Sequence, residues 1–175
     1  MRRMNLVKNI LIALLIISFG LLPYLAAIGQ EVWAQPTIRI DVPVVLKQAN
    51  VVFNISHVDF VGDIPAGIKY MNLLATQYKQ KGIQGRIIGI FHGAAAYLTL
   101  NDKAYGAYRL VDTGNPHKNL LASLLERGVQ IEACAVSMKG NGWGNEDLLP
   151  GVKVNTGAIG RLIQLVQEGY IQIEP

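Results

Sequence analysis

Short β-rich runs alternate with amphipathic helical stretches from residue 49 to the end of the chain, and this alternation restricts the fold more than any other feature of the sequence. "ANVVFNIS" (49–56), "RIIGIFHG" (86–93), "VQIEACAV" (129–136), "GVKVN" (151–155) and "YIQIEP" (170–175) read as strands. Between them, "AGIKYMNLLATQYKQKG" (66–82) places Ile68, Met71, Leu74, Ala75 and Tyr78 on one helical face, and Gly82 stops it. "NPHKNLLASLLERG" (115–128) carries a stripe of Leu120, Leu121, Leu124 and Leu125. "GAIGRLIQLVQEG" (157–169) puts Ile159, Leu162, Ile163 and Val166 together as its apolar face. "AAAYLTL" reads as a short helix, followed by an irregular polar segment to about Asp112. Strands that alternate with helices predict a mostly parallel five-stranded sheet with helices on both faces, wound doubly by right-handed crossovers.

The N-terminus reads differently. Arg2, Arg3 and Lys8 form a basic head, Ile10 to Leu22 is almost continuously apolar, and Pro23 ends that run. Val32 and Ala34 stand at the −3 and −1 positions of a cleavage site before Gln35, the layout of a secretory signal peptide over residues 1–34. An uncleaved anchor helix is the alternative, and membrane attachment is expected only in that case. Arg2-Arg3 hints at a twin-arginine signal, although Asn5 stands where such signals carry a hydrophobic residue. The expected location is outside the cytoplasm, in a periplasm. Residues 35–48, with two prolines, read as an extended arm, and 49–175 as one α/β domain.

Charge narrows the function classes. The chain has 16 Lys+Arg and 12 Asp+Glu, for a net charge of +4. Three of those basic residues lie in the signal segment, no basic run interleaves with aromatics, and no nucleic-acid partner is expected. "GNGWGN" lacks the third glycine of a dinucleotide fingerprint, so no nucleotide cofactor is expected. The one cysteine and separated histidines do not form a metal-ligand spacing.

That single cysteine, Cys134, is the chemical question of the sequence. Exported proteins meet an oxidising compartment, and one cysteine has no partner within its own chain. It is buried and inert, paired between chains, or a working thiol. The predicted fold delivers it to an edge where ligands bind, because the carboxyl ends of parallel strands face such a crevice. Three strands finish there, at Ser56-His57, His92-Gly93 and Cys134, while His117 opens a helix. A thiolate is favoured by nearby cations and backbone amides. Lys139, Ser137 and the glycine turn 140–144 follow the cysteine, and Asn145 is placed to cap a short helix with Glu146 and Asp147 in its first turn. His92 is a supporting candidate, and His57 and Trp143 are candidate pocket residues.

The succession "NPHKNLLASLLERGVQIEAC", "CAVSMKGNGWGNEDLLPGVKVNTGAIGRLIQLVQEGYIQIEP" and "GIFHGAAAYLTL" resembles the DsrE/DsrF-like sulfur-relay family over about 49–175. The resemblance implies a flavodoxin-like α/β subunit that assembles as a homo-trimer or hexamer. It also implies that Cys134 accepts sulfur as a persulfide from a sulfane-sulfur donor and yields it to an acceptor thiol protein, with His92 at the family's strand-end histidine. The alternative expectation is a non-enzymatic oligomer that binds a small ligand in the same cleft, with Cys134 only lining it.

Overall fold

The computed structural model describes residues 37–175. Residues 1–34, read from the sequence as a signal peptide, lie outside the described residues. The chain divides into a first unit ending at Pro43 and a second, Val44–Pro175. In the first, residues 37–43 are exposed and irregular, and Arg39 pairs with Asp41 at 2.8 Å.

The second unit is built on a five-stranded sheet in the order β6-β5-β4-β1-β7. Its strands are β1 (Val51–Ile55), β4 (Ile87–Phe91), β5 (Gln130–Cys134), β6 (Lys153–Asn155) and β7 (Ile171–Ile173), and every pairing among them is parallel. Helices α1 (Ala66–Lys81), α2 (Asp102–Arg109), α3 (Lys118–Glu126), α4 (Ala135–Asn141) and α5 (Ala158–Gln167) connect them. This is the doubly wound α/β arrangement that the alternation predicted, and it agrees with the flavodoxin-like subunit that the resemblance implied.

The topology decides which face each helix covers. From β1 through β4 and β5 to β6 the chain steps in one direction, so right-handed crossovers lay α1 to α4 over one face. The last step returns across the sheet to β7, which places α5 alone on the other face. On the first face Phe53, Ile55, Phe91 and Ile131 pack under Ile68, Met71 and Ala75 of α1 and Leu121 and Leu124 of α3. Helix α1 approaches so closely that a Cβ on Gly89 would lie 2.6 Å from Met71 Sδ. On the second face Val52, Ile88, Ile90 and Cys134 meet Ala158, Leu162 and Leu165 of α5. Each fully buried Leu, Ile or Phe contributes about 1.5–3 kcal/mol, which makes these two layers the main stabilising element.

Two local expectations are corrected, at α2 and at α5, and a hairpin at 60–65 is added to the predicted elements. The polar stretch after residue 100 is not irregular but forms α2, because Asn101 caps it by accepting the Ala104 N–H at 2.9 Å and Ala104 and Tyr105 supply a small apolar face. Residues 60–65 form a two-stranded antiparallel hairpin, β2 (Phe60–Val61) and β3 (Ile64–Pro65), turning at Gly62. The apolar face read for α5 is only partly the buried one. Leu162 is inside, but Ile159, Ile163 and Val166 are 67%, 55% and 49% exposed, and Ala158 and Leu165 take the inward positions.

Candidate functional site

Cys134 is both the last residue of β5 and the residue from which α4 springs, with no loop between them. Its backbone is extended, φ −81° and ψ 120°, so the sulfur stands over the free amides of the first turn of α4. The first amide of α5 reaches the same atom from the side: Ala158 N–H donates to Cys134 Sγ at 3.3 Å. Two helix N-termini thus converge on one sulfur. Burial of the thiol acts to raise its pKa, but the N–H groups of Ser137, Ala158 and Val136 and the Ser137 hydroxyl outweigh it. The net effect is a thiol held below its ordinary value, with the anion favoured by hydrogen bonds.

This arrangement corrects the sequence reading in two respects. Cys134 reaches the expected strand end but is only 4% exposed, so its sulfur is not open at the edge where ligands were expected to bind. The helpful amides are also not those of the glycine turn. Residues 135–141 are helical, so Gly140 and Gly142 fall at the far end of α4 from the sulfur. Lys139 lies in that last turn, exposed, and is not among the groups that shift the thiol.

Ser137 ties the sulfur to the next strand. Its Oγ accepts the Gly93 N–H at 2.9 Å while the hydroxyl favours the thiolate. Gly93 turns the chain out of β4 at φ +54°, and a Cβ there would come within 3.0 Å of Ser56 O. A side chain at that position would be both strained and crowded. Phe91 pairs with Ala133, so His92 and Cys134 leave neighbouring strands at the same level. His92 Nε2 lies 2.7 Å from Asn54 Oδ1, which can only accept, so the ring is assigned its proton on Nε2. Burial lowers the His92 pKa, against a smaller opposing pull from Glu174, so the imidazole is neutral at pH 7 with Nδ1 unprotonated.

A buried polar cluster that the sequence reading passed over lies on the same face. Glu132, two residues before Cys134, is 3% exposed. Arg161 of α5 embraces it, with Nε at 3.1 Å from both carboxylate oxygens and one terminal nitrogen at 3.0 Å. Asn155, the register partner of Cys134 on β6, donates Nδ2 to Glu132 at 3.0 Å. Gln130 adds a bond at 2.6 Å and is itself held by Lys153 at 2.9 Å. Asn155 Oδ1 is buried without a partner among the described residues, and an unmade acceptor at such depth costs about 1–3 kcal/mol. A cleft of about 650 Å³ opens along this cluster, past Thr156, Gly157 and Gly160. The available signal in the sequence was a carboxylate inside an apolar strand at i−2 from the cysteine, which sets both on one face.

The remaining candidates fall elsewhere. Asn145 does not cap a helix through Leu149: a single 3₁₀ turn spans Asn145–Asp147, and the Asp147 carboxylate accepts the Gly144 N–H at 2.8 Å. Trp143 packs edge-on against Tyr108 at 5.0 Å, in a cluster on the opposite sheet face with Met138 and Leu148. His57 is half exposed and engages Ser56 Oγ at 3.0 Å and Asp59 at 3.1 Å. His117 is buried near Phe60, and burial lowers its pKa. Among the described residues no group of three His, Cys, Asp or Glu is arranged to hold a metal ion, and no helix is long and apolar enough to cross a membrane.

Comparison with known proteins places this geometry. The model of the DsrE/DsrF-like family matches residues 69–175, more than half of the chain. The chain belongs to the DsrE/DsrF-like family. Among solved structures, it is similar to the protein of unknown function MTH1491 from Methanobacterium thermoautotrophicum, at 21% identity and a TM-score of 0.54 over 73% of this chain and 99% of that one. It is also similar to the ychN protein from E. coli, at 16% identity and a TM-score of 0.51 over 73% of this chain and 99% of that one. At these identities the likeness is one of fold, and it agrees with the DsrE/DsrF-like assignment. A search of curated proteins found no match. The family match includes β4, β5 and α5, and with them Cys134, His92 and the Glu132–Arg161 pair.

Proposed function

We propose that this DsrE/DsrF-like protein is a sulfur carrier whose Cys134 holds one sulfur atom as a persulfide. The observation that carries this reading is a sole cysteine at the junction of β5 and α4 whose sulfur accepts the Ala158 N–H at 3.3 Å, with its pKa held below the ordinary value. The thiolate attacks the outer sulfur of a donor persulfide, so that the donor's S–S bond breaks as a new one forms on Cys134 and the donor leaves as a thiolate. An acceptor thiolate then attacks the outer sulfur, the Cys134 S–S bond breaks, and Cys134 is returned as its thiolate. Two thiols exchange one sulfur, and no outside oxidant or reductant is consumed. We assign the proton transfer to His92 Nδ1, supported by its level with the thiol on the next strand and by the Nε2 contact to Asn54.

The test is intact-mass spectrometry of the full chain after exposure to a sulfane donor, where a gain of about 32 Da on Cys134 is expected. Because the thiol is held below its ordinary value, its alkylation rate should rise with pH around a midpoint below about 8.5. The linked stability has the matching sign: it is fully present above the unfolded thiol's pKa and is lost as pH falls through the folded one. A thiol that titrates at or above the free value sinks the reading.

The burial of Cys134 and the cleft past Glu132 and Asn155 favour a second reading, a small-ligand-binding protein in which the sulfur does no chemistry. An unmodified mass after donor treatment selects it. Under either reading we place the protein outside the cytoplasm as a trimer or hexamer. N-terminal sequencing from the native host should find a chain beginning near Gln35. An intact Met1 in a membrane fraction overturns that placement.

A further inference from the structure

We propose that Glu132, Arg161 and Asn155 are positioning residues, a clamp that holds the first turn of α5 so that the Ala158 amide stays on the Cys134 sulfur. The inference rests on the sulfur-carrier reading and names the part of the site that keeps its thiol reactive.

Two contacts run side by side between one strand and one helical turn. Glu132 and Cys134 are two residues apart on the same face of β5, and Ala158 and Arg161 are three apart on α5. Arg161 meets Glu132 with Nε and a terminal nitrogen at 3.0–3.1 Å, and Ala158 meets Cys134 at 3.3 Å. The guanidinium is a planar fork matched to a carboxylate, so it fixes the rotation of the helix as well as its distance. Asn155 closes the third side. It is the register partner of Cys134, it bonds the same carboxylate, and only Thr156 and Gly157 separate it from Ala158. Drift of α5 away from the sheet must therefore break the ion pair and the amide–sulfur bond together.

The opposite face needs no such device, because α1 and α3 pack there as a continuous apolar layer. Helix α5 is alone on its face and buries Ala158, Leu162 and Leu165 as its inward contacts. A buried ion pair is a weak stabiliser compared with apolar residues of the same volume, and its best-attested use is to fix geometry. Helix α5 is the element whose placement the sulfur depends on.

The sign of one substitution separates positioning from simple electrostatics. Glu132→Gln removes a carboxylate near the thiol. Charge alone then makes the thiolate easier to form, whereas loss of the clamp makes it harder. The experiment is the iodoacetamide rate of the full chain against pH, for wild type, Glu132→Gln and Arg161→Lys. For Glu132→Gln the midpoint should rise. The rate below it should fall about threefold per pH unit of rise, since a higher pKa lowers the thiolate fraction tenfold but makes each thiolate more nucleophilic. Arg161→Lys keeps the charge and loses the fork, so its midpoint should rise by a smaller amount. A Glu132→Gln midpoint that falls or stays in place overturns the clamp. If that variant loses its cooperative melting transition, Arg161→Lys decides, and an unmoved midpoint there overturns the clamp equally. A wild-type midpoint at or above that of free cysteine instead removes the sulfur-carrier reading itself, so the two failures are distinct.

Discussion

Replacing Cys134 with serine will abolish sulfur uptake and leave the fold in place. The donor-dependent mass gain should vanish completely, because a hydroxyl oxygen cannot accept a sulfane sulfur and the sequence holds no second cysteine. The fold should persist because the two side chains differ little in volume and the serine Oγ can still accept the Ala158 N–H that the sulfur accepts now. The site is buried against Ile88, Ile90 and Leu162, so the more polar oxygen is a mild penalty, within about 1–2 kcal/mol. Intact mass and a thermal melt on the same sample test both halves. Sulfur retained by the serine variant would place the chemistry elsewhere. A collapsed melt would show that Cys134 is chiefly a core residue.

The second large effect concerns assembly. Placing lysine at both Ile159 and Ile163 should convert the proposed trimer or hexamer to monomers while the subunit melts almost unchanged. These side chains are 67% and 55% exposed in the subunit, so their replacement touches little of its own core. They continue, with Val166, into a groove of about 360 Å³ between α5 and the β1–β7 half of the sheet, floored by Asn54, Leu162 and Gln172. This is the face that topology leaves to a single helix. If a second copy covers it, each isoleucine contributes about 1.5–3 kcal/mol at the interface, and an unpaired ammonium there costs more still. Light scattering before and after substitution is the measurement. A wild type that is already monomeric at micromolar concentration, or a double variant that keeps the wild-type mass, removes the assembly proposal.

The central strands β1, β4 and β5 were legible as short, mostly apolar runs, as parallel strands covered on both faces must be, and the largely exposed edge strands β6 and β7 as alternating runs of Val or Ile. Helices α1 and α3 were legible because their apolar residues recur at helical spacing above a thick core. Helix α2 was not, because its stability comes from the Asn101 cap and from Tyr105 packing into residues distant in sequence. The thiol's location at a strand end was likewise readable. What stabilises it was misassigned: Lys139 and the glycine turn were near in sequence, whereas α4 begins immediately after the cysteine and carries both to its far end.

By itself, the sequence determined the layered α/β fold, the delivery of Cys134 and His92 to one sheet edge, and the family. The first two depend on periodicity and strand-end chemistry, which are local, and the third on the resemblance carried by motifs in order along the chain. Only the tertiary structure decided which side of α5 faces the sheet, that the distant Ala158 N–H joins the residues just after the cysteine in favouring its anion, and that Arg161 answers Glu132 from 29 residues away. The physical reason is that an apolar stripe wide enough for two faces leaves the helix's rotation open. The return crossover to β7 and a buried carboxylate that must be paired close that choice.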